Sequence, residues 1–299
     1  MWAQLPQVLV NGVVLGAVYA LIGVGFAIIY STLGVLHFAH GVVFVAASYI
    51  VFWFSLTMGV PVWLGIVAGI VIAVGLSLLI NALIYEPLRA REAKPYIVLV
   101  ASIGTFIVLE NLIGIQFAFI PRLFELPFSK VLLRPVLVGN IYLTPIAIII
   151  VATAIVLCVG MYLFFSYTKV GTAVLAVGHD TELAEIVGMR TKLVRYVAMG
   201  LGSALAAVTA ILWSIQLGQV DMTIGWVALF VAFFATIFAG EGKIAGAGGT
   251  GFIMGIVWNL AALRFPTKWS QTILFMFIIT VLWIKPEGVF GTRTGRMGK

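Results

Sequence analysis

The chain has 299 residues, of which 63% are hydrophobic and only 9% charged, whereas a soluble domain carries about 25% charged residues. This excludes a large water-soluble domain and defines a polytopic membrane protein. The formal net charge of +7 comes from bases scattered through short loops without a patch, which fits retention of cytoplasmic loops better than nucleic-acid binding.

Met1 to Val10 contains no Lys or Arg, so it reads as the start of a retained span rather than a cleaved signal peptide. The first charged side chain is Glu86, so several spans follow one another before it. Apolar runs of spanning length, or nearly so, lie at about 8–30, 41–57, 62–85, 96–119, 143–166, 196–217, 226–240, 248–264 and 270–285. Some of the later runs are short for a core of about 30 Å, which leaves room for kinked or partly re-entrant segments. The predicted fold is all-α: one transmembrane helix bundle of about 8–10 spans forming a single domain over residues 1–299. Gly12-xxx-Gly16, Gly65-xxx-Gly69 and Gly251-xxx-Gly255 place small residues where helices approach closely in lipid. The lone Cys158 excludes an internal disulfide and a cysteine metal cluster.

Nine spans with the N-terminus outside place Arg89, Arg91, Lys94, Lys169, Arg190, Lys192, Arg195, Lys243, Lys285, Arg293, Arg296 and Lys299 in the cytoplasm. Arg122, Lys130, Arg134, Arg264 and Lys268 fall outside, and the inside excess favours this orientation over its inverse.

Polar residues within the spans are few. Glu110-Asn111 sits deep in the fourth run, where a carboxylate is by default a functional hypothesis. Packing, with Glu110 protonated or bonded to a neighbouring helix, is an equal alternative. His37 and His40 stand at a break between the first two runs. With no third ligand near in sequence they do not read as a metal site; wetted or backbone-bonded histidines are the expectation.

The longest polar interval, within 168–195, carries Asp180, Glu182, Glu185, Arg190 and Lys192 between Lys169 and Arg195. At roughly 2.5–3.5 kcal/mol per charge, burying it in lipid would cost on the order of 20 kcal/mol, so it lies outside the membrane. Leu183, Ile186 and Val187 fall at i, i+3, i+4 on one face of a short helix, with Glu182 and Glu185 on the other side. Asp180 suits the N-cap, Glu182 the positive end of the dipole, and Gly188 the left-handed residue that ends the helix.

Two patterns mislead. Gly246-x-Gly248-x-x-Gly251 matches a dinucleotide fingerprint by letter, but no strand precedes it, so helix packing is the better reading. No phosphate-binding loop is present, since Ile237 and Ile244 stand where Gly242-Lys243 would need glycine and Ser or Thr; the chain is not expected to bind ATP itself.

Asn11-Gly12 with Leu15-Gly16 and Tyr19-Ala20-Leu21, then Gly25, Tyr30 and Phe38-Ala39-His40-Gly41, resembles the opening of the branched-chain amino acid ABC transporter permeases, LivH-type. Ile103-Gly104 with Leu109-Glu110-Asn111 is similar to that family's fourth span, where Gln is frequent at position 110. Ala184, Ile186, Gly188 and Met189 resemble its coupling segment. Gly225, Gly240, Gly246-Ala247, Gly251, Gly255, Pro286 and Gly288-Val289-Phe290-Gly291 complete a match over nearly the whole chain.

The resemblance implies an inner-membrane importer subunit with no catalytic residue, cofactor or metal of its own. ATP and Mg would be bound by two cytoplasmic ATPase subunits, beside a second permease, usually in a heterodimer, and an extracytoplasmic solute-binding protein. His37, His40, Glu110 and Asn111 would line the translocation path. Asp180, Glu182, Leu183, Glu185, Ile186, Val187 and Gly188 would couple to the ATPase, a helix whose apolar anchors seat in a groove. The leading substrate class is a branched-chain or other hydrophobic amino acid. His37, Val42, Glu241, Lys243 and Asn259 depart from the family pattern, and the wider family also moves urea, short-chain amides and aromatic acids. A proton-coupled transporter using Glu110, needing no ATPase, and a non-transporting scaffold are the competing classes.

Overall fold

One apolar helix, the first, is the one the others surround. In the computed structural model, which describes residues 4–240, 242–266, 269–286 and 288–291, α1 (Leu5–Leu33) has its most apolar stretch 89% buried. It packs against five other helices, four of them long. It closes at Gly34, whose left-handed backbone (φ +66) lets its N–H reach the Tyr30 carbonyl at 2.9 Å.

Residues 34–39 then turn back into the bundle. α2 (His40–Val51) starts beside Phe26, ring to ring 5.7 Å from His40, and runs into π-helical turns over Phe52–Thr57. α3 (Val62–Ile80), a π-helical turn at Asn81–Tyr85 and α4 (Glu86–Ala90) form one span of 29 residues. α5 (Pro95–Phe117) follows, then β1 (Arg122–Leu123), α6 (Ser129–Leu132) and a hairpin of β2 (Val136–Val138) and β3 (Ile141–Leu143). α7 (Pro145–Tyr167) leads to two short helices, α8 (Lys169–His179) and α9 (Thr181–Ile186). α10 (Thr191–Leu217), β4 (Gln219–Val220), α11 (Thr223–Ala239), α12 (Ile244–Arg264) and α13 (Ser270–Ile284) complete the described chain.

Seven helices are long and apolar enough to cross a membrane, and α11 and α13 are shorter apolar helices. Each of the nine apolar runs is thus a helix. The short ones, 17 and 15 residues, reach only about 25 and 22 Å at 1.5 Å per residue, less than the hydrocarbon core.

Long-range contacts sort the connections into two ends. β1 pairs antiparallel with β4, and Gln7 exchanges hydrogen bonds with Tyr142 (3.0 and 2.7 Å), so the N-terminus, the 118–144 connection and 218–222 share one end. Glu86 meets Arg195, Arg89 reaches the Leu33 carbonyl, and the Val289 N–H donates to the Phe238 carbonyl (2.7 Å), which gathers 34–39, 91–94, 168–190 and the turn after α11 at the opposite end. Most of the Lys and Arg lie at this second end, which makes it the inner one.

Small residues bring the axes together where the sequence spacing placed them. A Cβ on Gly255 would strike the backbone of Gly16, and one on Gly16 would lie 2.7 Å from the Phe252 carbonyl oxygen, so α1 and α12 touch backbone to backbone. Gly69 does the same for α3 against Ala47 of α2. By contrast α7, α5 and the α3–α4 span have only 22–28% of their most apolar stretch buried, leaving apolar surface for lipid or other subunits. The polar interval holds two helices, α8 and α9, before α10 begins at Thr191. Arg195, the last residue of the expected segment, lies in the second turn of α10 and is buried, with Glu86 as its counter-charge.

Candidate functional site

The polar interval forms a rigid helix pair at the inner end. Thr168 caps α8, its Oγ1 accepting the Gly171 N–H at 2.9 Å. Asp180 caps α9, its Oδ1 accepting the Leu183 N–H at 2.9 Å. Gly188 ends the turn at φ +83, and the Met189 N–H returns to the Ala184 carbonyl at 3.0 Å. The Thr191 hydroxyl donates to Glu185 Oε1 (2.8 Å), tying α9 to the start of α10.

The pair sits on α1. Val174 and Val177 are buried, and Gly178 lies so close to the end of α1 that a Cβ there would stand 2.7 Å from the Ser31 carbonyl oxygen. Of α9 itself only Ala184 is buried. Leu183, Ile186 and Val187 point away from the bundle and are 57%, 81% and 65% exposed. Glu182 is exposed on the same element. Three neighbouring aliphatic side chains held in water by a helix capped at both ends form a surface suited to a partner groove.

Beneath this pair lies an ion-pair knot. Glu86 Oε1 accepts from Arg195 Nε (3.1 Å) and Arg89 Nη1 (3.2 Å), while Arg89 Nη2 donates to the Leu33 carbonyl (3.0 Å). It joins the inner ends of α1, α4 and α10. Arg195 is 7% exposed, so its charge depends on the carboxylate.

The break between α1 and α2 carries a second buried polar group. His37 Nδ1 lies 2.7 Å from Tyr85 Oη, which lies 2.8 Å from Ser102 Oγ, and Ser102 Oγ accepts the Ala39 N–H at 3.2 Å. His40 is also buried, its ring 5.7 Å from that of His37. The expectation of a backbone-bonded histidine is corrected for His37, whose Nδ1 partner is a side chain. Both histidines are buried, and His37 is held by a side chain 48 positions away, which no local spacing announces. Ser77 and Asn81 stand two turns and one turn before Tyr85 on the same helix and are fully buried.

Glu110 and Asn111 lie elsewhere. Glu110 is half-buried on α5 and hydrogen-bonds the Trp226 side chain. Asn111 is exposed and turns its Nδ2 back to the Ile107 carbonyl (2.7 Å). The four residues expected along a path therefore form a buried histidine cluster and a separate pair on the flank of the bundle.

Sequence reasoning missed a recess of about 430 Å³ at the outer end, lined by Gln7, Asn11, Gln216, Asn259, Tyr142 and Trp213 among others. Four neutral amides converge there from α1, α10 and α12. Only Asn11 lay in a motif singled out from sequence, and the other three are far apart in the chain.

A bundle of apolar spanning helices with a capped helix pair on its inner face defines a polytopic α-helical membrane protein. The chain belongs to the family described as branched-chain amino acid transport system / permease component, whose model matches residues 8–282. It is 31% identical over 302 residues to the high-affinity branched-chain amino acid transport system permease protein LivH of Escherichia coli K12, covering 95% of each chain. It is 30% identical over 298 residues to the corresponding permease protein BraD of Pseudomonas aeruginosa, again with 95% of each covered. Among solved structures, PsaBC of Streptococcus pneumoniae in complex with Fab matches at TM-score 0.49 and 17% identity, over 95% of this chain and 92% of that one. So slight a likeness says nothing of this chain's solute or partners.

Proposed function

We propose that this permease is the transmembrane subunit of an ATP-driven importer for branched-chain or other hydrophobic amino acids, in a bacterial-type inner membrane. It works with a second permease, two cytoplasmic ATP-binding subunits and an extracytoplasmic solute-binding protein. The observation that carries this reading is the exposed aliphatic face of α9. Leu183, Ile186 and Val187 have no reason to stand in water unless another protein covers them.

The geometry supports coupling through backbone contact. A force on α9 passes through Asp180 to α8, and through the Gly178–Ser31 contact to the inner end of α1. The Glu86 knot spreads it to α4 and α10. Because α1 is the helix the bundle surrounds, a shift there is felt directly by α7, α10, α11 and α12. The outer recess suits a zwitterion, since neutral amides offer donors and acceptors without favouring either charge. Glu110 and Asn111 face off the bundle, so they line a path only where a second permease closes against that flank. LivH and BraD belong to branched-chain amino acid transport systems, which places leucine and its neighbours first among candidates.

Proteoliposomes containing the full complex test the assignment. Leucine uptake should require ATP on the inner side and the binding protein on the outer side. Uptake by this chain without an ATPase would contradict it. Selective uptake of urea or short amides would keep the importer and replace the solute.

A further inference from the structure

A cavity of about 750 Å³ opens at the inner end between α1, α7, α8 and α12. Its walls are hydrocarbon: Val24 on α1, Met161 and Phe165 on α7, Leu175 on α8, Phe252 on α12, and Phe290 beyond the last helix. From Ser166 in the last turn of α7 to Cys158 it descends about 12 Å at 1.5 Å per residue, the depth of an inner leaflet's upper acyl region. One wall, α7, is the least buried of the spanning helices, so the cavity lies at the edge of the bundle.

Its rim is basic. Lys243 lines the mouth and is exposed, at the start of α12, where the first-turn N–H groups have no helical acceptor. No carboxylate is among the described lining residues. Lys169 and Lys285 stand on the same inner end.

The glycine run that opens α12 gives an independent reason. Gly251 is required by packing, because a Cβ there would strike the Tyr19 backbone, and at Gly248 it would lie 2.9 Å from Val24 Cγ2. At Gly249, which lines the cavity, a Cβ would meet nothing nearer than the Phe290 ring at 3.7 Å, an ordinary contact. Helix packing therefore explains Gly248 and Gly251 but not Gly249. Glycine weakens a helix interior, and the gain here is an open groove wall.

We propose that this groove binds an anionic phospholipid of the inner leaflet, one acyl chain lying along α7 and α12 and the headgroup phosphate on Lys243. The chemistry asked for is a hydrocarbon tail joined to an anion at the membrane surface. The remaining residues Thr292–Lys299 are a poor occupant, since they carry Arg293, Arg296 and Lys299 and one large apolar residue, Met297. A lipid so placed would brace α8, and with it α9, against α12. The proposal does not depend on which solute is carried.

The full chain in its assembled complex is placed in nanodiscs of dioleoylphosphatidylcholine doped with a diazirine-tailed phosphatidylglycerol, or with the matched phosphatidylcholine probe, and irradiated. The anionic probe should cross-link peptides around Met161 and Phe252 about fivefold more than the zwitterionic one, the preference roughly one Lys at the surface supplies. Lys243→Gln, an exposed change that leaves folding intact, should bring the probes level, and Gly249→Leu should reduce both by filling the groove. Equal cross-linking of the two probes in the unaltered protein overturns the proposal. So does cross-linking that vanishes when the partner subunits assemble, since a protein then covers the groove. Should Gly249→Leu fail to fold, Cys158 on the groove wall decides: its alkylation by N-ethylmaleimide should be slower with phosphatidylglycerol present, and equal rates refute a bound lipid chain.

Discussion

Two places in this molecule invert the usual partition of side chains. On α9 three aliphatic residues stand exposed outside the spanning segments, and at the break before α2 two histidines, a tyrosine and a serine lie buried among apolar helices. Three of the four buried side chains find partners within the chain, His37 with Tyr85, Tyr85 with Ser102 and Ser102 with the Ala39 N–H, while His40 makes ring contacts only. The exposed face has none. One inversion is resolved by folding for His37, Tyr85 and Ser102, which therefore fix structure. The other is resolved only by assembly and therefore marks an interface.

Substitutions should separate the two. Replacing Leu183 and Ile186 by Asp removes two aliphatic contacts of about 1.5–3 kcal/mol each from any docked complex. At about 1.4 kcal/mol per tenfold, ATPase retention should fall by more than about a hundredfold. The unfolding midpoint of the isolated permease should stay within about 0.5 kcal/mol of the original, because both side chains are exposed there. A pull-down with a parallel denaturation curve reads both, and a destabilised permease would show that α9 belongs to the fold after all.

Breaking the knot has the opposite signature. Glu86→Gln leaves the Arg195 charge, with 9% of its side chain exposed, without its counter-ion. The cost should be about 2–4 kcal/mol in denaturant unfolding, below the fully buried limit because Glu86 keeps some contact with water. Unaltered stability would mean that water replaces the carboxylate without loss. Tyr85→Phe should cost less, about 1–2 kcal/mol, by orphaning His37 Nδ1 while Ser102 keeps the Ala39 N–H.

Gly188→Val forces a β-branched residue into φ +83, a local strain of about 1–2 kcal/mol. The permease should assemble, yet ATP hydrolysis should no longer respond to loaded binding protein; a full response would free this turn from any role in coupling. Glu110 is expected to give the smallest effect. Glu110→Gln keeps an acceptor for Trp226 and should transport nearly normally, whereas Glu110→Leu loses about 0.5–1.5 kcal/mol of hydrogen bonding and should slow uptake. Normal uptake by Glu110→Leu would make the residue a packing element only.

Much of the fold was legible because hydrophobic length is a local property. The run 96–119 became Pro95–Phe117 and 143–166 became Pro145–Tyr167, each started by a proline at the first helical position. The glycine spacings likewise anticipated the close helix contacts, and the cap of Asp180 and turn of Gly188 followed from neighbours within three or four residues. What escaped depends on partners far along the chain. His37 meets Tyr85 across 48 positions, and Arg195 meets Glu86 across 109. The amides of the outer recess likewise come from three helices, and no periodicity in one segment could bring them together.

If α9 couples transport to ATP hydrolysis, an ATP-binding subunit must cover its outward face, and the accessibility of Ile186 tests this most directly. In a Cys158→Ser background, Ile186→Cys should react freely with a water-soluble maleimide in the isolated permease, where the position is 81% exposed. In the assembled complex the same thiol should react at least about tenfold more slowly, the factor that burial of a contact worth about 1.4 kcal/mol implies. Equal rates in the two states would leave this aliphatic face in water throughout, and the coupling role assigned to it would be contradicted.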